Sequence, residues 1–359
     1  MSSLRKLKDR MQSIKSTRQM TASMKVVAVS RLKKKHASFL KTVPFADEMN
    51  RVIRRLVRSI KLSQENHPDL PLHLPHLLNG NGKDQRYVVV VITSDDGLSG
   101  SSQLQVINHT RKLVDYLLSQ GKDIHLFTYG IRGTTLLQRF YPDLPVIGIR
   151  QKKTAELTAY LNAERLAADV IESFHRDRFD VCLVVYNQFK SIVSQIPTVE
   201  QLIPNKIFLK ENPWNFLNQS PDQNYRRSDA LGNKKIALKK SSFLSAIGGA
   251  DVLPSLQESI FKTGLDTGKR QPDYYDYEPS DIGLLEAILP QYLTAYVYRV
   301  LLEADVSDNA ARLMAMDNAT RNAGDMLDQL GQVYRRTRQT RITTDIAEVF
   351  AGTLQEMKP

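Results

Sequence analysis

The chain has 359 residues, of which 42% are hydrophobic and 25% charged, a composition typical of a globular protein. No run approaches the ~18 apolar residues needed to span a bilayer, the start MSSLRKLKDR lacks the apolar core of a secretory signal, and one cysteine, Cys182, excludes an intrachain disulfide and fits a reducing compartment. The net charge of +12 has one source, because residues 1–61 carry 17 Lys and Arg against 3 Asp and Glu, and the other 298 residues sum to −2.

The basic segment, residues 1–61, is predicted to be a long coiled-coil helix with a kink or short break at Pro44. Its beginning has the 3-4-3 apolar spacing of a coiled-coil seam, meaning the row of residues that faces a partner helix, in Leu4, Leu7, Met11 and Ile14. The stretch RQMTASMKVVAVSRLKKK, residues 18–35, mixes apolar and cationic residues all around the helix.

The basic charge of this helix has two possible explanations, an arm for nucleic acid or a membrane surface, and a helix seated against an acidic protein. Nucleic-acid binding usually adds interleaved aromatic residues or a recognition motif. Residues 1–61 have only two aromatics, Phe39 and Phe45, and no such motif. The sequence therefore favours a protein partner and no nucleic acid.

The middle of the chain reads as a loop, an α/β domain and an insertion. Residues 62–85 are rich in Pro and Gly; their histidines, His67, His73 and His76, have no accompanying metal-ligand set, so a solvated loop is expected. Residues 86–204 alternate apolar strands with amphipathic helices, which predicts a mostly parallel, Rossmann-like sheet. Residues 205–272, which include Trp214, read as an irregular insertion with a short helix near SLQESIFKTG.

The last segment, residues 273–359, is predicted to be a second coiled-coil helix with a kink at Pro290. Its seam falls at 3-4 spacing and includes Leu313, Met316, Leu327 and Leu330, after which RRTRQTR turns the helix surface cationic. Two lone helices at opposite ends of a chain can satisfy each other by pairing. The predicted fold is therefore an antiparallel coiled coil of the terminal helices plus a central α/β sheet domain.

No motif in the chain predicts catalysis, a metal or a cofactor. TSDDGLSGSS, residues 93–102, lies between a strand and a helix, where phosphate loops occur, but it gives only G-x-x-G and lacks the dinucleotide fingerprint. A tight structural turn is the preferred interpretation. Asp95 and Asp96 are read as caps that complement the dipole of the helix starting there.

The terminal helices resemble those of one known family. STRQMTASMKVVAVSRLKK resembles the first helix of the gamma subunit of F-type ATP synthases, and ARLMAMDNATRNAGDML with YRRTRQTRIT resembles its last helix. VVYNQFKSIVSQIPTVEQLIP and ITSDDGLSGS look like its sheet domain. The MDNATRNA form is similar to alphaproteobacterial or mitochondrial subunits.

This resemblance implies a central-stalk rotor subunit that couples ion-driven rotation of a membrane ring to ATP synthesis or hydrolysis, with no bond chemistry of its own. Its implied partners are the alpha and beta subunits of the catalytic head, an epsilon-type stalk subunit and the c-subunit ring. It implies head contacts for Met24, Arg312, Arg338 and Gln339, and ring contacts for the YEP stretch that includes Tyr277 and Glu278. The implied location is peripheral, on the cytoplasmic face of a bacterial inner membrane or the matrix side of the mitochondrial inner membrane.

The chain departs from the family pattern at two places. GLSGS replaces the usual GLCGG, so that Ser101 stands where a glycine is expected, and the insertion at 205–272 has no cysteine where plant plastid subunits carry a disulfide-regulated insertion. A different class of function also stays open, a stand-alone α/β enzyme or ligand-binding domain with a dimerising coiled coil. That alternative requires a nucleotide or substrate pocket.

Overall fold

A computed structural model describes residues 2–66, 74–149, 156–205, 214–218 and 280–356 of the chain. These residues all belong to one compact unit, formed by Met1–Gln219 and Pro279–Pro359; the second unit, Ser220–Glu278, lies outside the described residues. The short helix predicted near residues 255–264 and the predicted ring contacts, Tyr277 and Glu278, therefore also lie outside them.

The described part of the chain contains two very long helices and a five-stranded sheet. In chain order the elements are α1 (Ser2–Asn66), α2 (His76–Asn79), β1 (Arg86–Ile92), α3 (Ser102–Ser119), β2 (Asp123–Tyr129), α4 (Ile131–Phe140), β3 (Val146–Ile149), α5 (Glu156–His175), β4 (Val181–Phe189), β5 (Gln195–Ile203), α6 (Asn215–Asn218) and α7 (Asp281–Glu356).

The sheet has the strand order β3-β2-β1-β4-β5, with β5 antiparallel to β4 and the other neighbours parallel. A parallel sheet covered on both faces needs strands that are apolar throughout, and β1, RYVVVVI, is such a strand. Its odd-numbered residues, such as Val89 and Val91, join a core with α3 and α4. Its even-numbered residues, such as Val90 and Ile92, line a small void together with side chains of α5 and α7.

The C-terminal helix α7 therefore has two roles, because residues in its first half, such as Tyr296 and Val300, cover the sheet and residues from Leu302 onwards also pair with α1. The apolar cluster between the two long helices includes Ala28 and Leu32 of α1 with Ala310 and Leu313 of α7. The predicted fold class, terminal helices paired as a coiled coil beside a central α/β sheet, is confirmed.

Three local predictions differ from the structure. First, α1 runs through Pro44 without a break. Proline removes one backbone donor, but Pro44 is exposed, so water can reach the carbonyl that lost its partner, while Val43 and Ala46 are packed on either side. Second, α1 continues to Asn66, past residue 62 where a loop is predicted to start, and α2 lies within the segment predicted as loop.

Third, the segment predicted as an insertion from residue 205 begins as part of the sheet domain. Trp214 is buried in the core and its ring packs edge-on against Tyr87, with 6.4 Å between centroids. The amide of Asn218 bonds to both the N–H and the C=O of Val199, at 2.8 and 3.2 Å, and so extends the pairing of β5. A sequence pattern could not show these contacts, because they depend on tertiary position.

Candidate partner-binding surfaces of the helical shaft

The two long helices run antiparallel with a register fixed by polar contacts. Lys25 forms an ion pair with Asp317 at 2.7 Å, Thr320 donates to Thr21 at 2.8 Å, and Lys35 pairs with Asp305 at 2.9 Å. Residue numbers rise along α1 as their partners' numbers fall along α7, which is what antiparallel helices require.

This register explains the mixed composition of residues 18–35. Thr21, Lys25, Ala28 and Leu32 follow 4-3-4 spacing and face α7, so a lysine and a threonine occupy seam positions and pair there with an aspartate and a threonine. The apolar residues off the seam remain at the surface, namely Met20, Met24, Val26 and Val27. Met24, a predicted head contact, is 36% exposed.

The predicted seam residues differ in burial along the paired helices α1 and α7, which together form the shaft. Leu313 and Met316 are buried, at 1% and 6% exposure. The others are half-buried, namely Leu4, Leu7, Met11, Ile14, Leu327 and Leu330. Extending the register of the ion pairs places Ile14 opposite Leu327.

Arg312 is buried within the chain, although the family resemblance implies a contact with head subunits. Its guanidinium donates to the Gly97 carbonyl at 2.9 Å, to Asn309 at 2.9 Å and to Asp308 at 2.5 Å. Arginine provides several donors in one planar fork, so a single side chain can hold the loop after β1 against α7. Arg312 therefore joins the coiled coil to the sheet domain through these hydrogen bonds, and we call this set of contacts the Arg312 clasp.

The loop after β1 is shaped by contacts to three helices. Asp96 pairs with Arg31 of α1 at 3.4 Å, and Asp95 accepts the N–H of Ile131 at 2.6 Å. Asp95 thus caps α4, whereas the sequence prediction assigned it to the helix that follows it directly. The turn itself needs left-handed backbone at Leu98 and Gly100, with φ of 66° and 60°.

A ligand in an open α/β sheet usually binds at the carboxyl ends of the strands where the strand order reverses, which here lies between β1 and β4. The cavity found there has a volume of about 20 Å³ and is lined partly by Ser94, Asn187, Asp305 and Asp308. Such a volume holds about one water molecule. Because α7 covers this position, the cavity is too small for a nucleotide.

The end of α7 presents the predicted cationic surface. Arg338 and Gln339 are both exposed, and Arg335 and Arg336 are exposed beside them. By the register of the ion pairs, residue 339 lies opposite the start of α1, so the described end of α7, up to Glu356, extends beyond its partner helix.

Sequence reasoning missed an apolar stripe on the part of α7 that extends beyond α1. Ile342, Ile346 and Val349 are 46%, 52% and 68% exposed, and they line an open groove together with Asp345. Their 4-3 spacing puts them on one helix face. The spacing was a usable signal, but it follows the cationic run, where the predicted seam ended.

The described residues contain no group of three or more His, Cys, Asp or Glu that could hold a metal ion. Burial raises the pKa of the Cys182 thiol, which therefore stays protonated in the core. In the same part of the chain, no helix combines the length and the apolarity needed to cross a membrane.

The fold defines a class of protein in which a coiled-coil shaft stands on an α/β domain. Two solved structures of this class are similar to the chain. One is a mitochondrial ATP synthase rotor of Euglena gracilis, with a TM-score of 0.53, 15% identity and coverage of 95% of this chain and 99% of that chain. The other is the mitochondrial ATP synthase central stalk and c-ring of Tetrahymena thermophila, with a TM-score of 0.50, 20% identity and coverage of 84% and 99%.

Sequence comparison identifies the family. The family model described as ATP synthase matches residues 3–354. Curated relatives named ATP synthase gamma chain include those of Jannaschia sp. and Paracoccus denitrificans, both 32% identical over 98% of this chain and 99% of each relative. A third, from Rhodospirillum rubrum, is 31% identical over the same shares. The chain belongs to the ATP synthase gamma-chain family.

Proposed function

We propose that this chain is the central-stalk rotor subunit of an F-type ATP synthase and couples ion-driven rotation of a membrane ring to ATP synthesis or hydrolysis. The observation that carries the proposal is the end of α7, which extends past α1 and exposes a cationic stretch followed by an apolar stripe. Within the described residues α1 does not reach this end of α7, and an exposed helix surface of this composition fits a surrounding protein partner. The family relationship agrees with this reading.

The subunit does no bond chemistry in this proposal. A rotor can change the nucleotide affinity of a neighbouring catalytic subunit only through contacts that differ between that subunit's conformations. The shaft is suited to such a role because its exposed side chains differ around its circumference, with Met20 and Met24 on one part of α1 and Arg338 and Gln339 near the end of α7. We assign Met24, Arg338 and Gln339 to contacts with the alpha and beta subunits of the head.

Arg312 acts in this proposal through the loop that it holds rather than by direct contact with the head. We also propose that an epsilon-type subunit and the c-subunit ring bind the chain at its base, with Tyr277 and Glu278 as ring contacts. The complex would hold the chain peripherally at the cytoplasmic face of a bacterial inner membrane, or on the matrix side in a mitochondrion.

The proposal is tested by replacing Arg338 and Gln339 together with alanine in the assembled complex. If the two residues bind a beta-subunit loop at one rotor angle, each contact stabilises that angle by roughly 1–3 kcal/mol. Multi-site ATP hydrolysis, which requires rotation, should slow several-fold or more, whereas single-site hydrolysis should change much less. The two rates are measured on one preparation at excess and at substoichiometric ATP.

A matched control replaces Arg335 and Arg336, which are also exposed on α7, with alanine. The control removes two cationic groups from the preceding helical turn, one more than the test variant does, so a smaller loss in the control shows that position rather than lost charge slows multi-site hydrolysis. Equal losses in both hydrolysis regimes, or no loss in either, would contradict the coupling role of Arg338 and Gln339.

A further inference from the structure

A cluster of buried ionisable groups joins the shaft to the sheet domain, on the side of α7 that faces β4 and β5. It contains Glu303, Arg299 and Tyr296 of α7, Tyr186 of β4 and Glu200 of β5. None of these groups serves the proposed partner contacts, so their burial needs a separate explanation.

The two carboxylates of the cluster are solvated very differently. Glu200 is partly exposed, accepts the hydroxyl of Tyr186 at 3.2 Å and that of Tyr296, and lies 3.7 Å from the Arg299 guanidinium. Glu303 is only 4% exposed. Its Oε1 accepts the Phe189 N–H at 3.2 Å, but within the described residues its Oε2 has no hydrogen-bond partner.

An ionised carboxylate is poorly accommodated in the Glu303 site. Both tyrosine hydroxyls already donate their single proton to Glu200, so neither can satisfy Glu303 Oε2 without leaving Glu200. The Tyr186 oxygen, which also lies against Glu303, can still accept a hydrogen bond. A proton on Oε2 would therefore remove the negative charge from a buried oxygen that no described donor satisfies.

The charge balance leads to the same conclusion. One guanidinium, that of Arg299, faces two carboxylates, so a single proton makes the cluster neutral. From α1, the ring of His36 packs edge-on against the Phe189 ring at 5.7 Å between centroids, and burial lowers the pKa of His36, which disfavours a positive charge there. The proton belongs on Glu303 because Glu200 has the better hydrogen-bonded and more exposed site.

We propose that Glu303 is a protonated carboxylic acid in the folded protein on the acid side of neutral pH, and that release of its proton as the pH rises through neutrality loosens the joint between α7 and strands β4 and β5. The joint would thus respond to alkaline pH, since an ionised Glu303 leaves one oxygen without a donor at the contact that fastens α7 to the end of β4. This inference does not depend on the proposed rotor role.

The direction of the pH effect follows from the pKa. Burial, with a smaller contribution from the charge of Glu200, raises the pKa of Glu303 to about 7. Arg299 and the Phe189 N–H act in the opposite direction, as does the Tyr186 hydroxyl where it turns from Glu200 to Glu303. A carboxyl whose pKa is higher in the folded than in the unfolded chain stabilises the fold at pH below its unfolded pKa. That stabilisation is lost as the pH rises through about 7.

The test compares urea unfolding of the full-length chain with that of Glu303→Gln, which imitates the protonated acid, from about pH 5 to about pH 8. The folding equilibrium constant of the wild type should fall, relative to that of the variant, by roughly tenfold to a hundredfold across this range. Glu286→Gln, which removes an exposed carboxylate from the same helix, should follow the wild type. Parallel curves for wild type and Glu303→Gln would overturn the proposal.

Two measurements do not depend on how well the variant folds. The infrared carbonyl band of a protonated carboxylic acid should be present in the wild type near neutral pH and disappear on alkalinisation. The control is Asp305→Asn, which removes another carboxyl whose pKa is raised by burial; the band should persist in this variant. Absence of the band would overturn the proposal. Hydrogen exchange of the α7 amides around Glu303, corrected for its intrinsic pH dependence, should accelerate as the band disappears, and an unchanged rate would refute the loosening of the joint. The Phe189 amide is not the readout, because its bond to Glu303 strengthens when that carboxyl ionises.

Discussion

At the scale of single residues, the turn between β2 and α4 shows how a glycine can be required by close approach. The Thr93 hydroxyl accepts the Gly133 N–H at 3.1 Å and donates to the Tyr129 carbonyl at 3.2 Å, so it joins the end of β1 to the end of β2 and the start of α4. A Cβ at Gly133 would lie 2.6 Å from the Thr93 hydroxyl oxygen. Position 133 therefore requires glycine, although it lies inside α4, because a larger side chain would collide with Thr93.

Gly133→Ala should therefore destabilise the protein, although alanine is the better helix former. Displacing Thr93 costs about 1–3 kcal/mol, which exceeds the gain in helix propensity of about 1 kcal/mol. The measurement is the midpoint of urea unfolding of the full-length chain, which should fall.

Gly331→Ala is the matched control, because Gly331 is also helical but a Cβ there meets no atom within 4 Å. This variant should raise the midpoint of urea unfolding, because it adds about 0.5–1 kcal/mol to the free energy of unfolding. The same sign for both substitutions would refute the argument from Thr93.

At the scale of elements, the sequence predicted those whose pattern is set by burial on a simple geometry. β1 and β4 are nearly continuous apolar runs because helices cover both sheet faces, and the long helices carry a heptad seam because they pair with each other. The described strands and the pairing of α1 with α7 could be predicted from the sequence for that reason.

The helix α4 was not predicted, and its composition gives the reason. IRGTTLLQRF contains a glycine and two β-branched threonines, which lower helix propensity, and the glycine is there for Thr93. The clasp by Arg312 and the cap by Asp95 were also inaccessible, since they join residues 215 and 36 positions apart along the chain. Such contacts have no local pattern.

The seam of the shaft yields a prediction about pairing. Replacing Leu327 and Leu330 with Asp puts two charges at half-buried seam positions of α7, where Ile14 and its apolar neighbours on α1 face them. Each should cost roughly 2 kcal/mol of pairing stability, so the helix content of the full-length chain should melt earlier and head assembly should fail.

The control replaces Met326 and Val333 with Asp, since these are 52% and 49% exposed on the same helix. It introduces the same charges at the same level of the shaft but off the seam. Its thermal unfolding should stay close to wild type. Similar melting in both double variants would contradict the seam assignment.

At the scale of the whole molecule, torque between the shaft and the sheet domain must pass through the contacts that join them. Two polar attachments lie at residues 308–312 of α7: the Arg312 clasp on the Gly97 carbonyl and the hydrogen bond from Gln103 to Asp308 at 3.3 Å. Nearer the N-terminus of α7, the Glu303 cluster joins the same helix to β4 and β5. Because the three attachments lie on one helix, a twist of α7 acts on the loop after β1 and on the far edge of the sheet together.

Arg312→Lys tests whether the contact between residue 312 and the loop after β1 needs the guanidinium geometry or only a positive charge. Lysine keeps the charge beside Asp308 but lacks the planar fork, so it cannot hold Asp308, Asn309 and the Gly97 carbonyl at once. Losing the contact to Gly97 should cost about 2 kcal/mol and raise hydrogen exchange in residues 94–100, with little change in the core amides of β1. Arg335→Lys, an exposed arginine on the same helix, is the control and should leave both measurements unchanged. If Arg312→Lys leaves exchange in the loop at the wild-type rate, a positive charge at position 312 is sufficient, and the planar fork of Arg312 is not needed to hold the loop after β1.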